Sequence, residues 1–279
     1  MRIKLTAALP ALGRVLFLGG LLLAGGQSAA AAELASYQAV YKVTLASIND
    51  DRTVAWSKGA LAMRLVRDCR KWQAQTELFF GGEFDDGSRF RHHTMARVRE
   101  SLDGRAMEYS GWRDITDTAR FDFSGSARLK AAGGAGAVTV VQPRKRFRQI
   151  PEGVVFPIGA LKSIIEKLVG GDAGASVSFF EEGGEFARMS AIQAQPVILR
   201  LPPRGDAALV EGRSWQLRID QIFEDEDKNR VVSQNPDPPF TVLQVHASGV
   251  ASYIIANLGD GRRVTATLVE VRAIPEPKC

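Results

Sequence analysis

The chain of 279 residues holds two cysteines and three histidines, and redox, nucleophilic or metal chemistry must be sought there first. Cys69 stands in the run Asp68-Cys69-Arg70-Lys71-Trp72, and Cys279 is the last residue. A thiol beside Arg70 and Lys71 could have a lowered pKa and act as a nucleophile. Pairing with Cys279 would remove that option and enclose nearly all of the intervening chain in one covalent loop. His92 and His93 are adjacent in a predicted strand, so their side chains point to opposite faces and do not easily share a metal. His246 is the third histidine, and no metal or cofactor is expected.

The remaining motifs are weaker. Asp225-Glu226-Asp227-Lys228-Asn229 resembles the opening of a calcium loop, but Arg230 replaces the turn glycine and Pro236 the closing glutamate. A solvated acidic hairpin tip is expected there, and Asp85-Asp86 reads the same way. No G-x-S-x-G elbow occurs. Paired carboxylates on a sheet stay open as a hydrolase alternative, because sequence does not show separations across strands. The densest charge is Arg144-Lys145-Arg146-Phe147-Arg148, expected on a solvated loop face. Arg144, Lys145, Arg146 and Arg148 are the candidates for contact with anionic lipid head groups or an acidic polymer. Gly133-Gly134-Ala135-Gly136 lacks the strand–GxGxxG–helix setting of a phosphate cradle.

These residues sit in a chain that opens like a secreted protein. Residues 1–32 carry Arg2, Lys4 and Arg14, a ten-residue apolar core from Val15 to Ala24, and small residues suited to cleavage after Ala30 or Ala32. Ten residues fall short of the roughly 20 of a spanning helix. No cysteine near the core offers a lipoprotein anchor. A signal peptide over 1–32 is therefore expected, with periplasmic delivery in a two-membrane bacterium. The formal charge of +5 invites a nucleic-acid reading, but residues 1–32 hold three of the 36 basic residues and none of the 31 acids. The chain from Glu33 onward is close to neutral, which removes most of the electrostatic case for a polyanion.

The elements that must position these groups are mostly strands. Tyr37, Ala39, Tyr41, Val43 and Leu45 alternate with Gln38, Val40, Lys42 and Thr44, predicting a strand with one buried face. Further strands are predicted at 56–66, 72–80, 89–98, 106–113, 119–129, 137–141, 175–180, 186–199, 215–223, 240–247, 250–257 and 264–273. Asp68 to Arg70 is expected as a bend, and Gly81-Gly82 and Asp85-Asp86-Gly87 as turns. The period changes to helical once: Ile158, Leu161, Ile164, Ile165 and Leu168 predict a helix near 157–169, opened by Pro157 and stopped by Gly170-Gly171. A narrow apolar stripe on one helix packs on a sheet and builds no bundle. Regular turn spacing and the lack of a linker predict a mainly β single domain over 33–279 with one large antiparallel sheet.

Three features together resemble the EipB-like family of alphaproteobacterial periplasmic cell-envelope integrity proteins, over residues 34–279. They are Asp68-Cys69 followed by Trp72, Val155-Phe156-Pro157 opening the lone helix, and the terminal cysteine. The chain departs from the family at Arg70-Lys71, where Asp-Gly is usual, and at Phe180-Glu181-Glu182-Gly183, where a Phe-Asp-Gly turn is usual. The resemblance implies a sheet curled into a spiral or open bowl, a covering helix and a Cys69–Cys279 disulfide. It also implies envelope homeostasis without enzymatic activity. The expected function is binding of a protein partner or lipid-like ligand in or near the curved sheet. The alternatives are the carboxylate hydrolase and a purely structural scaffold. The disulfide is expected to pin the last strand so that the sheet cannot unroll from its C-terminal edge.

Overall fold

The computed structural model describes residues 33–47, 53–116, 118–181, 185–199, 202–222, 239–258 and 261–279. The N-terminal segment 1–32 and the acidic run 225–229 lie outside them. The strands are β1 (Tyr37–Ser47), β2 (Val54–Arg67), β3 (Lys71–Phe84), β4 (Arg89–Ser101), β5 (Ala106–Ile115), β6 (Phe121–Leu129), β7 (Gly136–Gln142) and β8 (Arg146–Ile150). After β9 (Val154–Val155) and the helix α1 (Pro157–Val169) come β10 (Ser176–Phe180), β11 (Phe186–Ile192) and β12 (Arg204–Gly205). A short 3-10 turn (Ala207–Val210) precedes β13 (Ser214–Ile222), β14 (Phe240–His246), β15 (Ala251–Asn257) and β16 (Arg262–Ala273).

All strands belong to one sheet. β8 is one edge; β7 back to β1 follow in order, then β16, β15, β14, β13, β11, β10 and finally β9. Neighbours are antiparallel except β9 with β10 and the short β12 with β16. The two edge strands are thus joined by only Pro151-Glu152-Gly153 in the chain, and the sheet is nearly closed into a barrel-like curl. Side chains complete the seam. Ile150 and Val154 share one apolar cluster with Phe156, Phe180 and Phe186. Arg148 lies over the Phe186 ring, 5.1 Å from its centroid, and both Arg146 and Arg148 face Glu185 at 3.6 and 3.4 Å.

Period two explains the strands: Tyr37, Ala39, Tyr41, Val43 and Leu45 are all buried while the residues between them face water. Their face is the concave side. There α1 lays down Ile158, Ala160, Ile164, Ile165 and Leu168, and strands from both halves of the sheet meet it in a second cluster. The concave side is therefore filled by the protein's own side chains.

Three expectations change. Gly81 and Gly82 are not a turn; β3 runs through them to Phe84. At Gly82 a Cβ would lie 2.1 Å from the Trp56 carbonyl oxygen and 2.6 Å from the Phe90 ring, so close approach selects the glycine. The strand expected over 186–199 stops at Ile192, since Pro196 has no N–H to give a ladder. Part of the basic run is itself edge strand β8, where alternation sends Arg146 and Arg148 to the side of Val140 and Val138.

β16 is also not an edge. It pairs with β1 on one side and β15 on the other, in the middle of the sheet. A bridge to its end braces the pairing of the chain's first and last strands and does not hold an edge against unrolling.

Candidate functional site

The Sγ atoms of Cys69 and Cys279 are bonded, with Cα atoms 5.5 Å apart, within the usual range for a disulfide. The thiol-nucleophile chemistry considered for Cys69 is absent in this state. The bend that carries Cys69 is made by Asp68. Its carboxylate accepts the N–H groups of Arg70 and Lys71 and the Gln73 amide. These bonds, the Arg70 N–H foremost, hold Asp68 below its ordinary pKa. The C-terminal tail is fixed beside it: Ile274 donates to the Ser36 carbonyl at 2.8 Å, and Ser36 Oγ donates to Glu276 at 2.8 Å.

Interior groups that could do acid–base or nucleophilic work have structural tasks. His246 Nε2 meets Ser252 Oγ at 3.0 Å, the spacing of a base and a nucleophile, but Ser252 is 1% exposed and no substrate reaches it. Burial lowers the pKa of His246. His92 stacks on Phe80 at 4.9 Å on the concave side, and burial, with Arg113 and His93 nearby, pushes it down to about 4. His93 faces outward and meets Glu77 at 3.0 Å, so the two histidines do diverge. Glu100 on β4 is buried and aims its carboxylate at the start of α1, accepting from Ile158 N at 2.6 Å and Gly159 N at 3.0 Å. The N-cap residue Phe156 has no side-chain cap and the first helical turn holds no acid. Glu100 supplies across the core what the local sequence lacks. Sequence reading missed it, although period two places it on the face of Ala96 and Val98, and a carboxylate on a core face demands a partner.

Two outward-facing carboxylates that border a hollow are engaged as well. Glu77 and Glu270 border one hollow of about 280 Å³ on the convex face, but Glu77 is bonded to His93, and Glu270 to Arg204 at 3.1 Å and Arg272 at 2.8 Å. The four cations singled out in the sequence do not form one patch. Arg144 and Lys145 are exposed in the turn before β8, whereas Arg146 and Arg148 share Glu185 at the seam.

A mainly apolar hollow lies beside a strap, described at residues 193–199 and 202–203, on the convex side. Gln244 holds the strap by both backbone groups of Val197: its Oε1 accepts the N–H at 2.5 Å and its Nε2 donates to the carbonyl at 3.0 Å. Gln216 Nε2 donates to the Gln195 carbonyl at 2.7 Å. The far end is anchored where β12 pairs with β16 and Asp206 accepts the Ala273 N–H at 2.7 Å. Gly205 is required there, with φ +89 and the Val271 oxygen 2.2 Å from where a Cβ would stand. Val197 and Arg204 are thereby fixed on either side of the hollow. The hollow of about 620 Å³ is lined by Val197, Ile198, Leu199 and Pro202 from the strap and by Leu268 and Val269 of β16, with Lys42, Arg204, Tyr253 and Thr267 at its border. Ile198 is 88% exposed. Size and lining are those of a site for a small apolar ligand, and Lys42 offers a cation to an acidic head.

A family model described as EipB-like matches residues 28–259. No curated protein matches the chain. Among solved structures, the chain is similar to a beta-barrel-like protein of domain of unknown function DUF1849 from Brucella abortus. The two are 14% identical with a TM-score of 0.72, over 87% of this chain and 99% of that one. At that identity the likeness shows the fold. Among the described residues no helix is long and apolar enough to cross a membrane.

Proposed function

The chain belongs to the EipB-like family, and on that premise we propose that it is a non-enzymatic periplasmic protein that supports cell-envelope integrity by binding a lipid-like ligand. The observation that carries this reading is the strap hollow, an apolar site held open outside a core that is already filled. A purely structural scaffold has no use for an isoleucine exposed over such a hollow, and burial of its apolar wall by an acyl chain would be favourable. The hydrolase alternative draws no support from Glu77, hydrogen-bonded to His93, from Glu270, engaged by Arg204 and Arg272, or from the inaccessible Ser252. Delivery to the periplasm rests on the signal-peptide reading of residues 1–32 and on the family.

Titration of the purified protein with palmitate by calorimetry tests the site. Ile198 makes no core contact, so Ile198→Glu should keep the melting temperature and weaken palmitate binding by roughly tenfold or more, the equivalent of about 1.4 kcal/mol. Equal affinity in the two proteins would remove the strap hollow from the proposal.

A further inference from the structure

A second surface lies at the far end of the convex face of β2–β5, away from the strap. Cross-strand register sets Lys58 opposite Gly81 and Gly81 opposite Arg91. One step along, Phe79 stands opposite Ala60 and His93, and on the other side Trp56 stands opposite Glu83, which faces Arg89. Alternation puts all of these on the face opposite the buried Phe80. Gly81 leaves bare backbone in their midst, and a hollow of about 510 Å³ opens over it. A Cβ at this position would lie 3.0 Å from the Phe90 carbonyl oxygen, so both the backbone approach and the open floor depend on the glycine.

Two large rings border that floor and are half in water: Trp56 is 47% exposed and Phe79 43%. Phe79 is propped edge-on by His93 at 5.6 Å, and His93 in turn by Trp112 at 4.6 Å, so Phe79 is held in a row of rings across β3–β5. Three cations stand around the hollow. Arg91 pairs with Asp114 at 3.1 Å and Arg89 with Glu83 at 3.3 Å. Lys58 lies over Trp56, 5.8 Å from the ring centroid, and meets no carboxylate among the described residues. Among the described residues, the hollow therefore carries one more cation than its paired carboxylates balance, beside exposed aromatic faces.

An acyl chain would cover the rings but give Lys58 no partner, and a flat apolar protein face would leave the three cations to be desolvated. A sugar ring fits both features, because it presents an apolar C–H face to an aromatic ring while its edge carries hydroxyls. An acidic substituent supplies the charge that Lys58 lacks. We propose that this face binds an anionic glycan, with Trp56 and Phe79 as stacking platforms and Lys58 as the charge-reading residue. The site does not depend on the strap hollow or its ligand.

Co-sedimentation of the full protein with purified peptidoglycan sacculi tests it, with chitin as a neutral N-acetylated sugar polymer for comparison. The protein should pellet with sacculi and bind chitin more weakly. The Trp56→Ala/Phe79→Ala pair and Lys58→Glu should each raise the half-saturation concentration by roughly tenfold, and Phe79→Tyr, which keeps the ring, should retain binding. Lys130→Glu, an exposed cation elsewhere, should bind as wild type; thermal melts establish that each variant is folded. Wild-type protein left in the supernatant would overturn the proposal. So would ring and Lys58 variants that bind normally, an equal loss in Lys130→Glu, or equal retention on chitin.

Discussion

Replacing Glu100 with alanine should lower the melting temperature by about 6–12 °C, on a scale of roughly 2–4 °C per kcal/mol for a domain of this size. The carboxylate is 2% exposed and receives two backbone N–H groups of the first turn of α1. Its loss leaves those donors buried without acceptors at the positive end of a helix dipole, at about 1–3 kcal/mol for each unmade bond. The helix has no substitute, since Phe156 cannot cap and no acid stands in the first turn. Glu100→Gln keeps one acceptor and turns an amide donor toward the other N–H, so it should fall between alanine and wild type. Melting of both variants within about 2 °C of wild type would show that the helix start is held by packing alone.

The second large effect is expected at the disulfide. Cys69→Ser frees a closed loop with a sequence separation of 210, for which loop entropy gives an upper value of roughly 5 kcal/mol and typical measurements 2–4 kcal/mol. The position of β16 explains what that stabilisation acts upon. Tyr37 pairs with Ala273 and Ser47 with Arg262, so β1 and β16 join the two ends of the chain in mid-sheet. That pairing carries the largest closure cost in the molecule, and the bridge prepays most of it. The variant should fold, melt about 5–12 °C lower, and be cut more readily by protease in its C-terminal tail, whose contacts to Ser36 survive but lose their covalent partner. A melting temperature that does not change on reduction would contradict this.

Period two and the single helical stripe made most of the fold legible from sequence. The alternation at Tyr37–Leu45, the Pro157 start and the Gly170 stop all describe the structure, because each is a local rule about which side a residue faces or which backbone group it lacks. What was hidden is non-local. Gly81-Gly82 has turn composition, and only Trp56 and Phe90, from neighbouring strands, explain the glycines as close-approach positions within β3. The end of β11 at Ile192 follows from Pro196, but the strap's path is set by Gln244, about fifty residues later in the chain. The basic run looked like one feature because its charges are consecutive. Strand alternation divides it, and Glu185, invisible as a partner in sequence, takes two of its arginines. The exposed rings at Trp56 and Phe79 carried no motif at all, and only the register that surrounds Gly81 with them and with Lys58 makes a site.

The claim that this protein works by holding an apolar ligand under its strap is tested most directly by native mass spectrometry. Protein expressed from the full-length sequence and isolated from the expressing cells would be compared with Ile198→Glu made in the same cells. The expected result is an added mass of lipid size on the wild-type protein, released by organic extraction and missing from the variant. Wild-type protein that flies bare under conditions that preserve other lipid complexes, or an added mass equally present on Ile198→Glu, would contradict it.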